Sequence, residues 1–251
     1  LVLASPLTVC LVVLGRYVPF LKFLDTLLGN RPALAPSHRL YQRMLAQDEA
    51  EATALMNELS EVDGLEVLYD GVVVPMLAHA RDDLRSGRLD KAVHDRLVDD
   101  ASDIIDGHRQ VVRSEATVGV ERMSVLGIPS RDELDEVALA MLGKLVDIGR
   151  VEWTSAGSDS LSSEVVAKVK AHPYKVIVLM ALPPGGLAHV RYLCRRLRAE
   201  EQAVKILVVR PGLYADDTPR QRRELLDAGA SQVVTSMKDA VVQLNELALL
   251  D

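Results

Sequence analysis

Aromatic residues are scarce: the chain has two Phe and one Trp among its 251 residues, and aromatics make up 4% of it. Hydrophobic residues are nevertheless 49% and charged residues 26%, a balance typical of folded rather than disordered chains. The cores are therefore expected to be built from aliphatic side chains. The length allows one large domain or two ordinary ones, and we favour two.

Cysteine and positive charge are also limited. The two cysteines, Cys10 and Cys194, lie far apart in apolar surroundings, which excludes a disulfide framework and fits a reducing compartment. The formal net charge of −7 argues against a nucleic-acid partner, because phosphate binding needs a concentrated basic face. Two arginine groups are local exceptions, interpreted as solvated helix faces: Arg195, Arg196 and Arg198, then Arg220, Arg222 and Arg223.

Residues 1–31 form the first predicted segment, and its first 14 residues, LVLASPLTVCLVVL, contain no charge. As a helix these would cover roughly 21 Å, less than the ~30 Å hydrocarbon core of a bilayer. We interpret them as the end of a membrane helix, with a signal peptide or a buried amphipathic helix as alternatives. Basic residues and bordering aromatics follow, as expected on the cytoplasmic side: Arg16, Tyr17, Phe20, Lys22 and Arg31.

Residues 32–120 have a helical pattern, which predicts a small helical bundle. Two helices should begin at Pro36-Ser37 and at Asp48, a residue type that caps helices well. The segment GLEVLYDGVVVPMLAHARDDLRSGRL has one apolar stripe, and Pro75 should kink it. A further helix is predicted in DKAVHDRLVDDASDIIDGHRQVV.

Residues 121–251 alternate short β-rich apolar runs with helical ones. The strand candidates are RMSVLGIP, RVEWTSA, YKVIVLMAL, VKILVVR and SQVVTS. Five strands alternating with five helices predict a doubly wound, five-stranded parallel sheet of the flavodoxin-like kind. Ligands of such sheets bind beyond the carboxyl ends of the strands, in the loops after Ile128, Trp153, Leu182 and Arg210.

The loop after the first strand reads PSRDELDE, residues 129–136. Ser130 or Asp132 is expected to cap the next helix, and the neighbouring carboxylates suit the positive end of its dipole. A divalent-cation site is the alternative, which we reject because the spacing matches no established ligand pattern.

The loop after the third strand reads ALPPGGLAH. Two prolines followed by two glycines interrupt both the strand pattern before them and the helical pattern after them, so this loop should turn the chain from strand to helix. The glycines would also let a ligand approach the backbone, and the helix that follows offers amide donors to an anion. His189, in its first turn, is either a ligand contact or a surface histidine.

Motifs of catalysis and phosphate binding are missing from these loops. The glycines have neither a Gly-Lys-Ser/Thr ending nor a GxGxxG pattern, and no serine or cysteine has the setting of a nucleophile. A phosphorelay receiver needs an aspartate at the end of the third strand, where Met180, Ala181 and Leu182 stand. We therefore predict that the protein is not an enzyme.

A helical bundle followed by a flavodoxin-like domain resembles the cobalamin-binding module with its helical cap, over about residues 60–250. In that family the first loop carries DxHxxG, whose histidine ligates cobalt; here Asp132 is kept and Leu134 takes the histidine position. In the photoreceptor branch the cap also supplies a histidine, with His94 as its equivalent. The resemblance implies cobalamin, but leucine cannot ligate cobalt. We expect no cofactor, with cobalamin as the alternative.

The stretch SPLTVCLVVLGRYVPFLKFLDTLLGNRPALAPSHRLYQRMLAQDEAEA is similar to the end of the membrane domain of the autoinducer-2 exporter family of permeases. There a last helix with Pro-Leu-Thr runs into LGRYVP, then LLG, then YQR. Some bacterial members resemble this chain further, with SRDELDE-like and ALPPGG-like segments in a cytosolic extension. The resemblance implies part of an inner-membrane permease that lies mostly on the cytoplasmic side.

We therefore predict a cytosolic C-terminal regulatory or ligand-sensing region of a bacterial multi-span membrane permease. A cobalamin-binding sensor and a non-binding structural or assembly domain are the alternatives. The expected partners are the membrane domain of the same polypeptide and a small-molecule effector, and a homo-oligomer through the membrane part is allowed. No metal site is predicted. The candidate ligand contacts are His94, Ser130, Asp132, Pro183, Pro184, Gly185, Gly186 and His189.

Overall fold

The structure is a computed structural model that describes residues 34–108, 122–212 and 218–249. The predicted end of a membrane helix, in residues 1–31, lies outside these ranges. Within them, no helix combines the length and the apolar character that crossing a membrane requires. The chain divides into two compact units, Leu1–Arg39 and Leu40–Asp251, and the second contains the whole sheet.

The helices before the sheet follow the predicted pattern. Asp48 caps one of them, because its carboxylate accepts a hydrogen bond from the Glu51 backbone N at 3.2 Å. A π-helical turn, Tyr69–Val73, lies directly before Pro75. Proline lacks the backbone donor that a regular helix needs, so the expected distortion takes the form of this wider turn. The bounds are α1 Pro36–Leu45, α2 Glu49–Asp63, α3 Leu65–Leu68, α4 Val74–Arg85 and α5 Lys91–Gly107.

The rest of the chain forms a five-stranded parallel sheet with the order β2-β1-β3-β4-β5. This is the doubly wound, flavodoxin-like arrangement, so the predicted fold is confirmed. The strands are β1 Met123–Pro129, β2 Val151–Ser155, β3 Val176–Met180, β4 Lys205–Val209 and β5 Gln232–Val234. The helices are α6 Glu133–Leu145, α7 Ser162–Ala171, α8 Leu187–Glu200, α9 Pro219–Asp227 and α10 Met237–Leu249.

Two aliphatic cores lie on the two faces of the sheet. Alternate strand residues such as Val125 and Leu126 point to opposite faces. One core joins the sheet to α6, α10 and the bundle helices, and the other joins it to α7, α8 and α9. Asp70 of the π-helical turn also accepts hydrogen bonds from the backbone N of Met237 and Lys238, at 2.7 and 3.1 Å. The bundle is therefore packed on one side of the sheet.

Candidate functional site

The loops after β1 and β3 contain most of the predicted ligand contacts, and they lie side by side at the carboxyl edge of the sheet. Strands β1 and β3 are neighbours, with Pro129 opposite Met180. The next residue, Ser130, donates its backbone N–H to the Met180 carbonyl at 2.8 Å. The parallel pairing therefore brings Ser130 and Asp132 close to the loop that begins at Ala181.

Asp132 is the N-cap of α6, since its carboxylate accepts a hydrogen bond from the Asp135 backbone N at 3.3 Å. Ser130 has a different role, because its hydroxyl is buried and donates to the Asp135 carboxylate at 2.8 Å. The same carboxylate accepts the Leu182 backbone N–H at 2.8 Å. The buried Asp135 carboxylate therefore links the loop after β1 to the loop after β3 by hydrogen bonds.

An arginine from the bundle completes this arrangement. Arg81 lies on α4, and its side chain is only 3% exposed. Its Nη2 donates to Asp135 at 2.8 Å and also to Asp132, while its Nη1 donates to the Leu182 carbonyl oxygen. We call Arg81, Asp132 and Asp135 the Arg81 cluster. One buried guanidinium thus joins the bundle to both loops at the carboxyl edge.

The charges of the Arg81 cluster shift the acidity of its carboxyl groups. Burial acts to raise the pKa of Asp132, but the guanidinium groups of Arg81 and Arg131 outweigh it and hold the pKa below its usual range. Burial raises the pKa of Asp135 in spite of the nearby Arg81 charge. The described residues contain no group of three or more His, Cys, Asp or Glu suited to a metal ion. The two carboxylates hold an internal guanidinium instead.

The Pro183–Gly186 loop is built around two left-handed glycines. Gly185 and Gly186 have φ angles of +90° and +80°, and Gly186 is the N-cap of α8. Arg210, a buried residue after β4, donates from Nη1 to the Gly185 carbonyl oxygen at 3.0 Å. Arg131 Nη1 lies 3.1 Å from the point that a Cβ on Gly185 would occupy. The loop turns the chain into α8, and ligand binding by it stays a prediction.

The histidines of the predicted site lie in different surroundings. His189 is exposed, and its ring centroid lies 6.0 Å from that of Tyr192, a half-exposed residue of α8. His94 is 6% exposed. Its Nδ1 lies 3.4 Å from Asp95, and its Nε2 has no hydrogen-bond partner among the described residues.

Helix α5 runs beside α6 in the same direction, which places His94 near the level of the Arg81 cluster. At the start of the helices, the pKa of Lys91 is raised, chiefly by its hydrogen bond with Asp95 and also by the charge of Glu133. At their ends, Lys144 Nζ donates to the Asp106 carbonyl at 3.0 Å. His94 therefore lies alongside the first turn of α6.

A cavity of about 620 Å³ lies at the other end of the strands. Residues before or early in β1, β2 and β3 line it, among them Arg122, Ser124, Glu152 and Tyr174. No sequence motif pointed to this edge, and no residue of the predicted site lines the cavity. This cavity and the predicted contacts are therefore at opposite edges of the sheet.

Sequence reasoning missed Arg81, although a signal for it exists. Val74, Leu77 and Arg81 recur at the spacing of one helix face, and the first two are fully buried. An arginine on the buried stripe of a helix needs an anionic partner. The sequence could therefore have indicated a buried ion pair, although not its partners.

The strand order and the linked loops at the carboxyl edge of the sheet define a flavodoxin-like α/β domain with a helical bundle packed on one face of the sheet. A scan against models of protein families gave no match, and a search of curated proteins gave none either.

Among solved structures, a cobalamin-binding protein from Desulfitobacterium hafniense DCB-2 is similar with 14% identity and a TM-score of 0.42, covering 83% of this chain and 96% of that one. The methanol:cobalamin methyltransferase complex MtaBC from Methanosarcina barkeri matches with 10% identity and a TM-score of 0.37, covering 84% and 78%. The receiver domain of the Francisella response regulator 1452 matches with 18% identity and a TM-score of 0.36, covering 51% and 98%.

The residues at the carboxyl edge do not fit a cobalamin held in the family manner. The position of the cobalt-ligating histidine is Leu134, a hydrocarbon side chain that is 1% exposed. The side chain of Arg81 crosses the space between the bundle and the loops. The Arg81 side chain thus occupies part of the crevice between the bundle and these loops.

Proposed function

We propose that this chain is a non-catalytic regulatory region of a bacterial multi-span membrane permease. In this proposal it lies on the cytoplasmic side of the inner membrane, with the membrane domain of the same polypeptide as its partner. The observation that carries the regulatory role is the Arg81 cluster. It adds one buried ion pair to the apolar packing of the bundle on the α/β domain, and a small-molecule effector could weaken or strengthen that pair.

An effector would act only by binding the packed and the separated arrangements with different affinity. In the packed arrangement Asp135 is engaged by Arg81, Ser130 and Leu182. A ligand that competes for Asp132 or for Arg81 would therefore favour separation. A non-binding structural or assembly domain is the alternative, and the partly occupied crevice supports it too.

Hydrogen exchange separates these two functions. The Leu182 amide, bonded to Asp135, should exchange by local separation of the bundle if the domain is regulatory, faster than the amides of β3. In a purely structural domain this amide would exchange only with global unfolding, at the rate of the β3 amides. Arg81→Met should accelerate exchange at Leu182, and Arg85→Met, which changes an exposed arginine of the same helix, serves as the control.

The membrane assignment is tested by fractionating bacterial cells that produce the native polypeptide, detected through this region. We expect it in the inner-membrane fraction after an alkaline carbonate wash, because the proposal joins this region to a membrane domain through the uncharged residues 1–14. Recovery of the intact chain in the soluble fraction would overturn this part of the proposal.

Cobalamin sensing is a second candidate, favoured by the buried and unpartnered Nε2 of His94 among the described residues. The test is the absorbance spectrum of the full chain titrated with hydroxocobalamin and adenosylcobalamin. Saturable binding with a spectral change that is lost in His94→Ala would establish it. His172→Ala, an exposed histidine at the opposite edge, is the matched control. The leading proposal expects no binding by any of the three proteins.

A further inference from the structure

Helices α8 and α9 carry seven arginines against three carboxylates. Four of these arginines are engaged within the protein. Arg191 and Arg220 pair with Glu224, Arg196 lies 5.9 Å from the ring centroid of Tyr192, and Arg198 donates to the carbonyl oxygens of Gln202, Val204 and Gly229.

The other three, Arg195, Arg222 and Arg223, are exposed. None of them forms an ion pair with a carboxylate in residues 34–108, 122–212 or 218–249. Helices α8 and α9 pack together, since Arg191 of the first bonds Glu224 of the second. Arg195 follows Arg191 by one turn, while Arg222 and Arg223 directly precede Glu224, and Arg223 donates only to the Pro219 carbonyl of its own helix at 3.4 Å. We call these three residues the basic surface.

Helix α5 presents the opposite charge. Together with its N-cap it carries six aspartates against Lys91 and Arg96. Asp99, Asp103 and Asp106 are exposed and recur at the spacing of one helix face, so they form a row about 10 Å long. Their carboxylates have no ion-pair partner in the described part of the chain. We call them the acidic surface.

The two surfaces lie on opposite sides of the sheet. Helices α8 and α9 belong to one core through Leu193 and Leu225, and α5 belongs to the other through Leu97 and Ile105. The basic surface of one chain therefore cannot reach the acidic surface of the same chain. The three arginines of one surface match the three aspartates of the other in number, and another copy can bring the two surfaces together.

We propose that the basic surface of one copy binds the acidic surface of a second copy, in a head-to-tail contact. Such a contact uses two different patches, so it repeats from copy to copy and builds open chains or closed rings. Polyanions such as nucleic acids and anionic membranes are less suitable partners, because they would match only the basic surface and leave the acidic surface unmatched. The contact consists of exposed charges and is therefore weak and sensitive to salt.

Sedimentation velocity of the full chain over a range of concentrations tests the contact. We expect reversible association that weakens about tenfold or more between about 0.05 M and 1 M NaCl, as the Debye length shortens. The variants Arg195→Glu/Arg222→Glu and Asp99→Lys/Asp103→Lys should each lose this salt-sensitive association. Mixed together they should associate again, because the first variant is then acidic at both surfaces and the second is basic at both. Combining all four reversals in one chain should restore association.

Matched charge reversals elsewhere serve as controls. Lys238→Glu on α10 and Glu61→Lys on α2 are exposed and lie outside both surfaces, so association should persist in them. Three results would overturn the proposal: a monomeric chain at low salt, association that survives in both surface variants, and no association when the two variants are mixed. Binding of the chain through Arg195 and Arg222 to phosphatidylserine vesicles without self-association would also overturn it.

Discussion

Replacing Arg81 by methionine should destabilise the protein more than any other single change in the bundle. The substitution removes a guanidinium that is 3% exposed and leaves Asp135, 1% exposed, without its charge partner. Breaking one side of a buried ion pair costs about 3–5 kcal/mol. Asp135 keeps its hydrogen bonds from Ser130 and Leu182, and the Asp132 side chain is 38% exposed, so water can solvate it. We therefore expect a loss of about 3 kcal/mol.

Equilibrium urea unfolding of the full chain, followed by circular dichroism, measures this loss. Arg85→Met is the control, because Arg85 lies one turn further along α4 and is exposed. A surface substitution of this kind should change the free energy of unfolding by less than about 0.5 kcal/mol. A similarly small change for Arg81→Met would refute the argument.

A double-mutant cycle then isolates the pair itself. Asp135→Leu alone should also be strongly destabilising, because it leaves Arg81 buried with one fewer anion. The double variant Arg81→Met/Asp135→Leu should recover much of the loss, since exchanging both partners of a buried pair for apolar groups is often nearly neutral. Strict additivity of the two single losses would show that the two groups do not interact.

Three further predictions concern other parts of the fold, each measured by urea unfolding. Gly127→Ala should cost about 1–3 kcal/mol, because a Cβ there would lie 2.8 Å from Leu139 Cδ1; an unchanged midpoint would contradict this close packing. Asp70→Ala should cost about 1 kcal/mol by removing the carboxylate that accepts the first N–H groups of α10, whereas the exposed Asp63→Ala should not. Burial, helped by the charge of Lys144, lowers the pKa of His108, so the folded chain binds its proton less readily than the unfolded chain does. Stability should therefore fall as the pH drops below about 6.5, and His108→Gln should flatten this fall; an unaltered pH dependence would exclude His108 as its cause.

The elements of the fold could be predicted because their signals are local. The apolar runs that end at Pro129 and Met180 are strands in the structure, and Asp132 caps the helix that its residue type and position predict. Pro75 predicted a distortion of its helix, and the π-helical turn ends two residues before this proline. Caps, turns and periodicity depend on residues a few positions apart, so the sequence contains all that they need.

The site could be predicted only in part, because side-chain partners depend on the fold. Ser130 was a candidate cap, yet its hydroxyl binds Asp135, and His189 was a candidate ligand contact, yet its ring lies beside Tyr192. Gly185 and Gly186 do have the left-handed backbone that their residue type favours. No sequence pattern predicted the cavity near Tyr174, since chain segments that are distant in sequence form it together.

The sequence by itself thus determined the alternation of strands and helices and, through the connection rules of parallel sheets, the flavodoxin-like arrangement. Only the tertiary structure decided that Arg81 would bind Asp132 and Asp135, 51 and 54 positions further along the chain. A buried arginine must find an anion, but which anion it finds depends on the packing of α4 against α6. The sheet likewise separates the acidic and basic surfaces, because α5 packs on one of its faces and α8 and α9 pack on the other.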